Sequence, residues 1–270
     1  MNLDLAGRVA VVTGGSKGIG LAIAEAFRDE GAKVVVASRT PSPELAELQR
    51  GAGDVLHVPA DLSDPSAPAD VIGRAVERFG GLDVLVNNAG GPPPGTKLPR
   101  FGFLALTDDD WRKMFEFNLL SAVRACRAAI PLLLERGGGS IVNVSSVHAR
   151  QPSAVNVDYG AAKAAMSNLT KALAEEFGAQ GVRVNGVCPG PVKTPWWTDA
   201  GGAADILAAQ TGADRESVMT KVAPEMMRLT TGRLVEPREI ADAVVQLASP
   251  RSASTTGAEV VVDGGMLKAA

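Results

Sequence analysis

Seven short runs rich in valine and isoleucine punctuate the chain: Val9–Thr13, Lys33–Ser38, Val55–Val58, Val84–Asn87, Ser140–Val144, Arg183–Val187 and Glu259–Val262. Most are near-continuously apolar rather than alternating. That pattern predicts strands buried on both faces, as in a parallel sheet covered by helices. Between them, helical periodicity runs over Gly18–Glu30, Asp64–Phe79, Thr107–Leu134, Asp158–Phe177 and Pro237–Ala248. Gly31 and Gly178 follow two of these segments as expected C-terminal caps. Thr107 and Asp110 form a capping-box pattern at the start of another. Strands alternating with helices predict an α/β fold: one doubly wound parallel sheet of about seven strands, in a single domain over residues 1–270.

Two stretches interrupt the rhythm. Gly90–Leu106 is rich in proline and glycine, with Pro92, Pro93, Pro94 and Pro99, and Pro189–Glu236 is an excursion expected to hold two short helices. Long connections inside a compact domain are usually functional or disordered. No internal repeat or linker marks a domain boundary.

Composition narrows the function. With 270 residues, 46% of them hydrophobic, the chain can bury a substantial core. A net charge of −3 gives no electrostatic footprint for nucleic acid or an anionic membrane. Cys126 and Cys188 are the only cysteines, which suits a reducing compartment. The N-terminus lacks the basic and apolar regions of a signal peptide, and no run of about 20 apolar residues is evident. A cytoplasmic protein is the expectation. The two histidines, His57 and His148, are far apart, and no metal site is expected. His57 reads as structural. His148 reads either as a wall of a substrate pocket or as a solvated loop residue.

The candidate chemistry lies in one spacing. Tyr159 precedes Lys163 by four residues, and Ser146 lies thirteen before Tyr159. Residues four apart share a helix face. An ammonium beside a phenol favours the phenolate, and a serine hydroxyl can hold a carbonyl or alcohol oxygen. Ser145 is a rival to Ser146, but adjacent strand residues face opposite ways, so only one reaches the site. At the other end, the first strand runs into a turn holding Gly14, Ser16, Lys17, Gly18, Ile19 and Gly20, followed by a helix. Glycines let the backbone approach a pyrophosphate, and the helix N-terminus supplies N–H donors.

The spacing Gly14-x-x-x-Gly18-x-Gly20, the run Asn87-Asn88-Ala89-Gly90 and the Ser–Tyr–Lys set together resemble the short-chain dehydrogenase/reductase family, from about Leu5 to Gly265. Asp61, Asn118, Pro189-Gly190 and Asp263-Gly264-Gly265 belong to the same resemblance. It implies that Tyr159 is the general acid or base, that Lys163 lowers its pKa and binds the nicotinamide ribose, and that Ser146 orients the substrate oxygen. It implies that Asn118 holds a local kink in its helix. Asp61 and Leu62 would contact adenine; a helix-capping role is the alternative for Asp61. Asn88, Ala89 and Gly90 would lie under the ribose and pyrophosphate. Pro189, Gly190, Val192 and Thr194 would line the nicotinamide side.

An NAD enzyme places a carboxylate at the end of the second strand. Here the strand ends Val36-Ala37-Ser38-Arg39, with no carboxylate, and Lys17 adds a second cation. NADP(H) is therefore expected, with NAD(H) the alternative. The reading is an oxidoreductase acting on a carbonyl or secondary alcohol, apolar and of medium size. An NAD-dependent alcohol dehydrogenase, an epimerase or dehydratase, and a non-catalytic nucleotide-binding regulator are the rivals. Pocket walls are expected from Gly91–Phe103, Val147–Asn156 and Pro191–Met227. Trp196, Trp197, Met219, Met226 and Met227 in the last form either an apolar lid or simple helix packing. Arg100 and Arg150 are candidates for binding a substrate carboxylate or are solvated. By family resemblance, the two longest helices pair copies of the chain into a homodimer or homotetramer. Ala162, Ala165, Met166 and Leu169 then serve the interface or the core.

Overall fold

The computed structural model describes residues 2–51, 53–96 and 100–268; Pro99 of the proline-rich loop lies outside them. Seven strands form one parallel sheet: β1 (Val9–Thr13), β2 (Lys33–Ser38), β3 (Val55–Pro59), β4 (Val84–Asn87), β5 (Gly139–Val144), β6 (Val182–Pro189) and β7 (Glu259–Val262). Their order is β3-β2-β1-β4-β5-β6-β7, so the winding reverses between β1 and β4. Ligands of such sheets bind at the carboxyl ends of the strands, at this reversal.

Strand side chains alternate between the two faces. Ala10, Val12, Val34 and Val36 enter a core with Ile23 and Phe27 of α1 (Gly18–Asp29), Leu45 of α2 (Pro43–Gln49) and Ile240 and Val244 of α11 (Pro237–Ala248). Val9, Val11, Val35 and Leu85 enter the opposite core with Val71 and Ile72 of α3 (Ala67–Phe79) and Ala129 and Leu133 of α5 (Ser121–Glu135). Double-sided burial is why the strands read as continuous apolar runs.

Several expected boundaries move. The helix expected from Asp64 begins at Ala67, because Asp64 Oδ1 accepts from Ser66 N (2.9 Å) and fixes a turn first. Gly178 is not a left-handed cap: the chain continues through a short 3-10 turn, and Gly181, at φ 84°, reverses it. Helix α2 was not expected; Ser42 caps it, accepting from Leu45 N. The segment expected as one helix from Thr107 is α4 (Asp108–Phe115), a π-helical turn (Glu116–Leu120) and α5. The Thr107–Asp110 capping box is present. Contrary to the sequence expectation, the stretch Asp108–Glu135 is long and apolar enough to cross a membrane by length and composition. It packs instead as a core helix against the sheet and α3.

The excursion after β6 holds α7 (Pro195–Thr198), α8 (Ala203–Thr211), α9 (Arg215–Ser217) and α10 (Ala223–Met226), the last two joined by a π turn. Trp197, Val218 and Leu234 form a small core of their own there, with Met219 and Met227 against it. Ala162 and Met166 of α6 (Val157–Phe177) are fully buried within the chain, whereas Ala165 and Leu169 are half-buried.

One carboxylate ties β1 to the start of β4. Asp83 accepts from Val9 N (2.8 Å), Arg8 Nη1 (3.1 Å) and Arg136 Nε (3.1 Å), with its side chain almost fully covered. Asp83→Ala leaves the Val9 N–H without a partner. It is expected to cost about 1–3 kcal/mol in urea unfolding, with cofactor affinity unchanged.

Candidate active site

The glycine turn is tightly closed by its neighbours. A Cβ on Gly20 would lie 2.3 Å from Gly14 O and 2.4 Å from Asn88 Nδ2, and one on Gly14 would lie 2.9 Å from Ala89 Cα. Only glycine fits this approach of β1 to β4. Asn88 Nδ2 donates to Thr13 O (2.9 Å) and Gly14 O (3.1 Å), so this side chain holds the turn as well as bordering the cleft. Thr13 Oγ1 accepts from Asn88 N and Ala89 N, both at 3.0 Å. Its part was not singled out from the sequence; the only signal is a hydroxyl residue closing the strand before the glycines.

Beyond the turn, α1 starts without a side-chain cap at Lys17 and without an acidic residue in its first turn. Its leading N–H groups and positive dipole end are therefore available to an anion. Gly18 faces Thr194 (3.3 Å to a Cβ placed there), which brings the excursion against the turn. Ile19 packs partly on the core. Ser16 is half-exposed in the turn.

The carboxyl ends of β2 and β3 border the same crevice. Lys17 and Arg39 are exposed and form no ion pair among the described residues. Ser38 is buried and its hydroxyl is engaged, donating to Thr40 O (3.0 Å) and pairing with His57 Nε2 (2.9 Å). His57 is thus structural, as expected. Asp61 is exposed, and its Oδ1 accepts from Ser63 N (3.0 Å); it caps no helix, because Ser66 precedes α3. Leu62 is buried beside it.

Lys163 lies in the deepest part of the site. Burial is complete, and its Nζ donates to Val144 O (2.9 Å), at the end of β5. Ser145 Oγ returns the connection by donating to Lys163 O (3.1 Å) and pairs with Ser167 (3.0 Å). Ser145 is therefore turned into α6, and Ser146 is the serine that meets Tyr159, hydrogen-bonding its hydroxyl. Lys163 Nζ stands 5.8 Å from the Tyr159 ring centroid. A Cβ on Gly90 would lie 2.8 Å from Lys163 Nζ and 2.9 Å from Asn118 Oδ1. Asn118 sits in the π turn, fully buried; it donates to Gly91 O (2.9 Å) and Met114 O (3.1 Å) and accepts from Gly91 N (2.8 Å). The asparagine thus marks a distortion of the helix, and π turns of this kind recur at functional sites.

The electrostatics differ from the sequence expectation. Burial raises the Tyr159 phenol above its ordinary range and outweighs the Ser146 hydrogen bond that lowers it. Burial also pushes the Lys163 ammonium down to about 8.

On the far side, Gly190 N donates to Val262 O (3.0 Å), which holds the end of β6, at Pro189, against β7. Val192 is buried in the core and bridges Val235. The two arginines considered for a substrate carboxylate are already paired. Arg150 bonds Glu259 (3.2 Å). Arg100 bonds Asp110 (2.9 Å) and the fully buried Asp158. Arg100 N also donates to Asn156 Oδ1 (2.7 Å), so the proline-rich loop is fastened to the first turn of α6, next to Tyr159. Cys126 and Cys188 are unpaired, and burial raises their thiols to about 12 and about 11. His148 is half-buried beside Tyr159, with ring centroids 6.1 Å apart in an edge-to-face arrangement. Among the described residues no group of His, Cys, Asp and Glu could hold a metal ion.

Comparison with known proteins agrees with this geometry. The family model described as enoyl-(acyl carrier protein) reductase matches residues 14–267. The chain is 37% identical to 2,5-dichloro-2,5-cyclohexadiene-1,4-diol dehydrogenase of Sphingobium indicum, over 97% of this chain and 96% of the relative. It is also 37% identical to cis-4-hydroxycyclohexanecarboxylate dehydrogenase of Sinomonas cyclohexanicum, covering 98% of each. Its fold matches the crystal structure of L-sorbose reductase from Gluconobacter frateurii, complexed with NADPH and L-sorbose, with a TM-score of 0.89, 36% identity and full coverage of both chains. With the glycine turn, the Ser146–Tyr159–Lys163 cluster and the reversal of the sheet in one crevice, this chain belongs to the short-chain dehydrogenase/reductase family, as an NAD(P)-dependent oxidoreductase of alcohol or carbonyl groups.

Proposed function

We propose that this protein is an NADP(H)-preferring reductase or dehydrogenase of a ketone or secondary alcohol, working through Tyr159. The observation that carries this reading is the meeting of Ser146, Tyr159 and a fully buried Lys163 beside Gly90, at the reversal of the sheet. Burying an unpaired ammonium costs stability, which a purely nucleotide-binding regulator has no reason to bear.

The residues fit a nicotinamide dinucleotide. The turn at Gly14, Gly18 and Gly20 and the uncapped start of α1 suit its pyrophosphate. Leu62 and Asp61 border the adenine end. Arg39 and Lys17 are the cations positioned for a ribose 2′-phosphate, and no carboxylate stands at the end of β2 to repel it. The bound nicotinamide supplies the two-electron chemistry. The chain supplies the proton chemistry. In reduction the Tyr159 hydroxyl donates its proton to the carbonyl oxygen; in oxidation the phenolate takes it from the alcohol. Ser146 Oγ donates to the same oxygen and fixes it. Lys163 supplies positive charge behind the phenol, and Asn118 holds Gly91 and hence the floor near Lys163. The similar proteins named above act, by their names, on a cyclic diol, a hydroxycyclohexanecarboxylate and a sugar. We assign this chain a substrate of medium size. Exposed Trp196 and Met226 of the excursion supply apolar wall. The reading includes a cytoplasmic homodimer or homotetramer, with Ala165 and Leu169 of α6 available to the contact.

Three outcomes follow from this reading. Tyr159→Phe is expected to lower turnover by about 10²–10⁴-fold while thermal stabilisation by NADPH persists; full turnover in that variant contradicts the mechanism. Arg39→Ala is expected to weaken NADPH about tenfold to a hundredfold and to leave NADH within about twofold in fluorescence titration. Equal losses for both cofactors would remove Arg39 as the phosphate reader.

The third outcome concerns pH. The folded-state pKa of Lys163, about 8, lies below its ordinary value of 10.5. Between these values the unfolded chain binds more protons at this site, so its contribution makes stability rise with pH there. Below about 8 the buried charge is a full cost. Lys163→Met is therefore expected to raise stability at pH 7 by on the order of 2 kcal/mol while abolishing activity. Denaturant unfolding at pH 7 and pH 10 checks this, because the gain should shrink at the higher pH.

A further inference from the structure

Tyr159 lies in the first turn of its helix, yet that turn is not capped from within. Asn156, at the start of α6, is left-handed (φ 56°) and makes no side-chain cap bond. Helices usually close this end with a Ser, Thr, Asp or Asn oxygen turned onto their own leading N–H groups. Here Asn156 Oδ1 accepts instead from Arg100 N (2.7 Å), while Asn156 N donates to Arg100 O (3.0 Å). Phe101 and Val155 extend this contact as an antiparallel bridge.

The Arg100 side chain reaches further. Nη2 donates to Oδ2 of Asp158, the residue before Tyr159, and Nη1 donates to Asp110 Oδ1 (2.9 Å). Asp158 is the acid of the first turn of α6, where a carboxylate complements the helix dipole, but it is fully buried. Asp110 is the capping-box acid of α4, and its other oxygen accepts from Thr107 N (2.9 Å). One guanidinium thus joins the first turns of α4 and α6. Helix α4 leads into the π turn that carries Asn118, and α6 carries Tyr159 and Lys163.

This junction is poorly built for stability. Among the described residues, Asp158 Oδ1 and Arg100 Nε are buried without a partner. A buried ion pair with unspent donors and acceptors recovers little of its desolvation, and an apolar pair of similar volume is often at least as stable. What a planar, forked cation gives in return is direction, because it fixes two carboxylates at once.

We infer that Arg100 is a positioning residue for the reaction, acting through Asp158 to hold the first turn of α6 and so to set the Tyr159 hydroxyl against Ser146. The assignment rests on the oxidoreductase reading above. It gives Arg100 a role in place of binding a substrate carboxylate, since its guanidinium is already engaged by two carboxylates of the chain.

Tyr159 is the one tyrosine of the chain, so carbon-13 tyrosine labelled at Cζ gives a single NMR signal from the reacting ring. In the full chain at pH 7, Arg100→Met and Asp158→Asn are each expected to displace this signal. Asp83→Ala, which loosens the opposite end of the sheet, is expected to leave it in place. The double variant Arg100→Met/Asp158→Asn strands no charge, so it is expected to regain most of the thermal stability that either single variant loses. Its Tyr159 signal is nevertheless expected to stay displaced. Arg100→Lys, which keeps the charge and loses the fork, is expected to fall between wild type and Arg100→Met. With NADPH and cyclohexanone, kcat of the double variant is expected to fall about tenfold to a hundredfold while KM for NADPH stays within about threefold. A Tyr159 signal that returns to its wild-type position together with stability overturns the assignment. An equal displacement by Asp83→Ala, or an unchanged kcat, overturns it as well. The carbon signal decides by itself where the wild-type protein does not reduce cyclohexanone. Failure of the oxidoreductase reading shows separately, as the absence of thermal stabilisation by any nicotinamide cofactor.

Discussion

A single buried ammonium organises the centre of this molecule. Lys163 is fully enclosed, and its Nζ has one strong acceptor, the carbonyl of Val144 at the end of β5. The reciprocal bond from Ser145 Oγ to Lys163 O makes the junction of β5 and α6 rigid in both directions. Ser146 and Tyr159 sit on the two sides of that junction, so their meeting follows from it. Gly90 must lack a side chain because Lys163 Nζ and Asn118 Oδ1 occupy the space. The loop after β4, the π turn of the long helix and the catalytic helix are thereby fixed against one charge.

That charge is held at a cost. Desolvation lowers the ammonium and raises the phenol, so each group is displaced toward its neutral form. Neutral Tyr159 is the form that gives a proton, and charged Lys163 is the form that helps it do so. The two requirements conflict in an apolar enclosure, and the conflict eases as positive charge or hydrogen-bond donors are added beside the phenol. Stability is sacrificed where function needs a polar group in a dry place. Two further polar groups near the site are also buried without all their partners: His148, whose Nδ1 has none, and Asp158, buried whole against Arg100.

Much of this was legible in the order of residues. Burial on both faces makes parallel strands continuous apolar runs, and four strands, β1, β2, β4 and β7, have the bounds their composition predicts. The Tyr159–Lys163 spacing placed both on one helix, and strand alternation predicted that Ser145 and Ser146 would part company. Each of these rests on a local period: two for a strand, 3.6 for a helix.

What the sequence left open depends on contacts between distant segments. Nothing local distinguishes Arg100 and Arg150 as paired, because their partners Asp158 and Glu259 arrive only when the loop and β7 are in place. The sign of the Tyr159 shift also belongs to the folded chain, since desolvation is a property of everything packed around the phenol. The glycine turn, the helix faces and the strand pattern were fixed by the sequence itself, through backbone sterics and hydrophobic period. The pairing of charges, the π turn at Asn118 and the unpartnered imidazole of His148 were decided by tertiary structure, because burial and partnership exist only between elements that folding brings together.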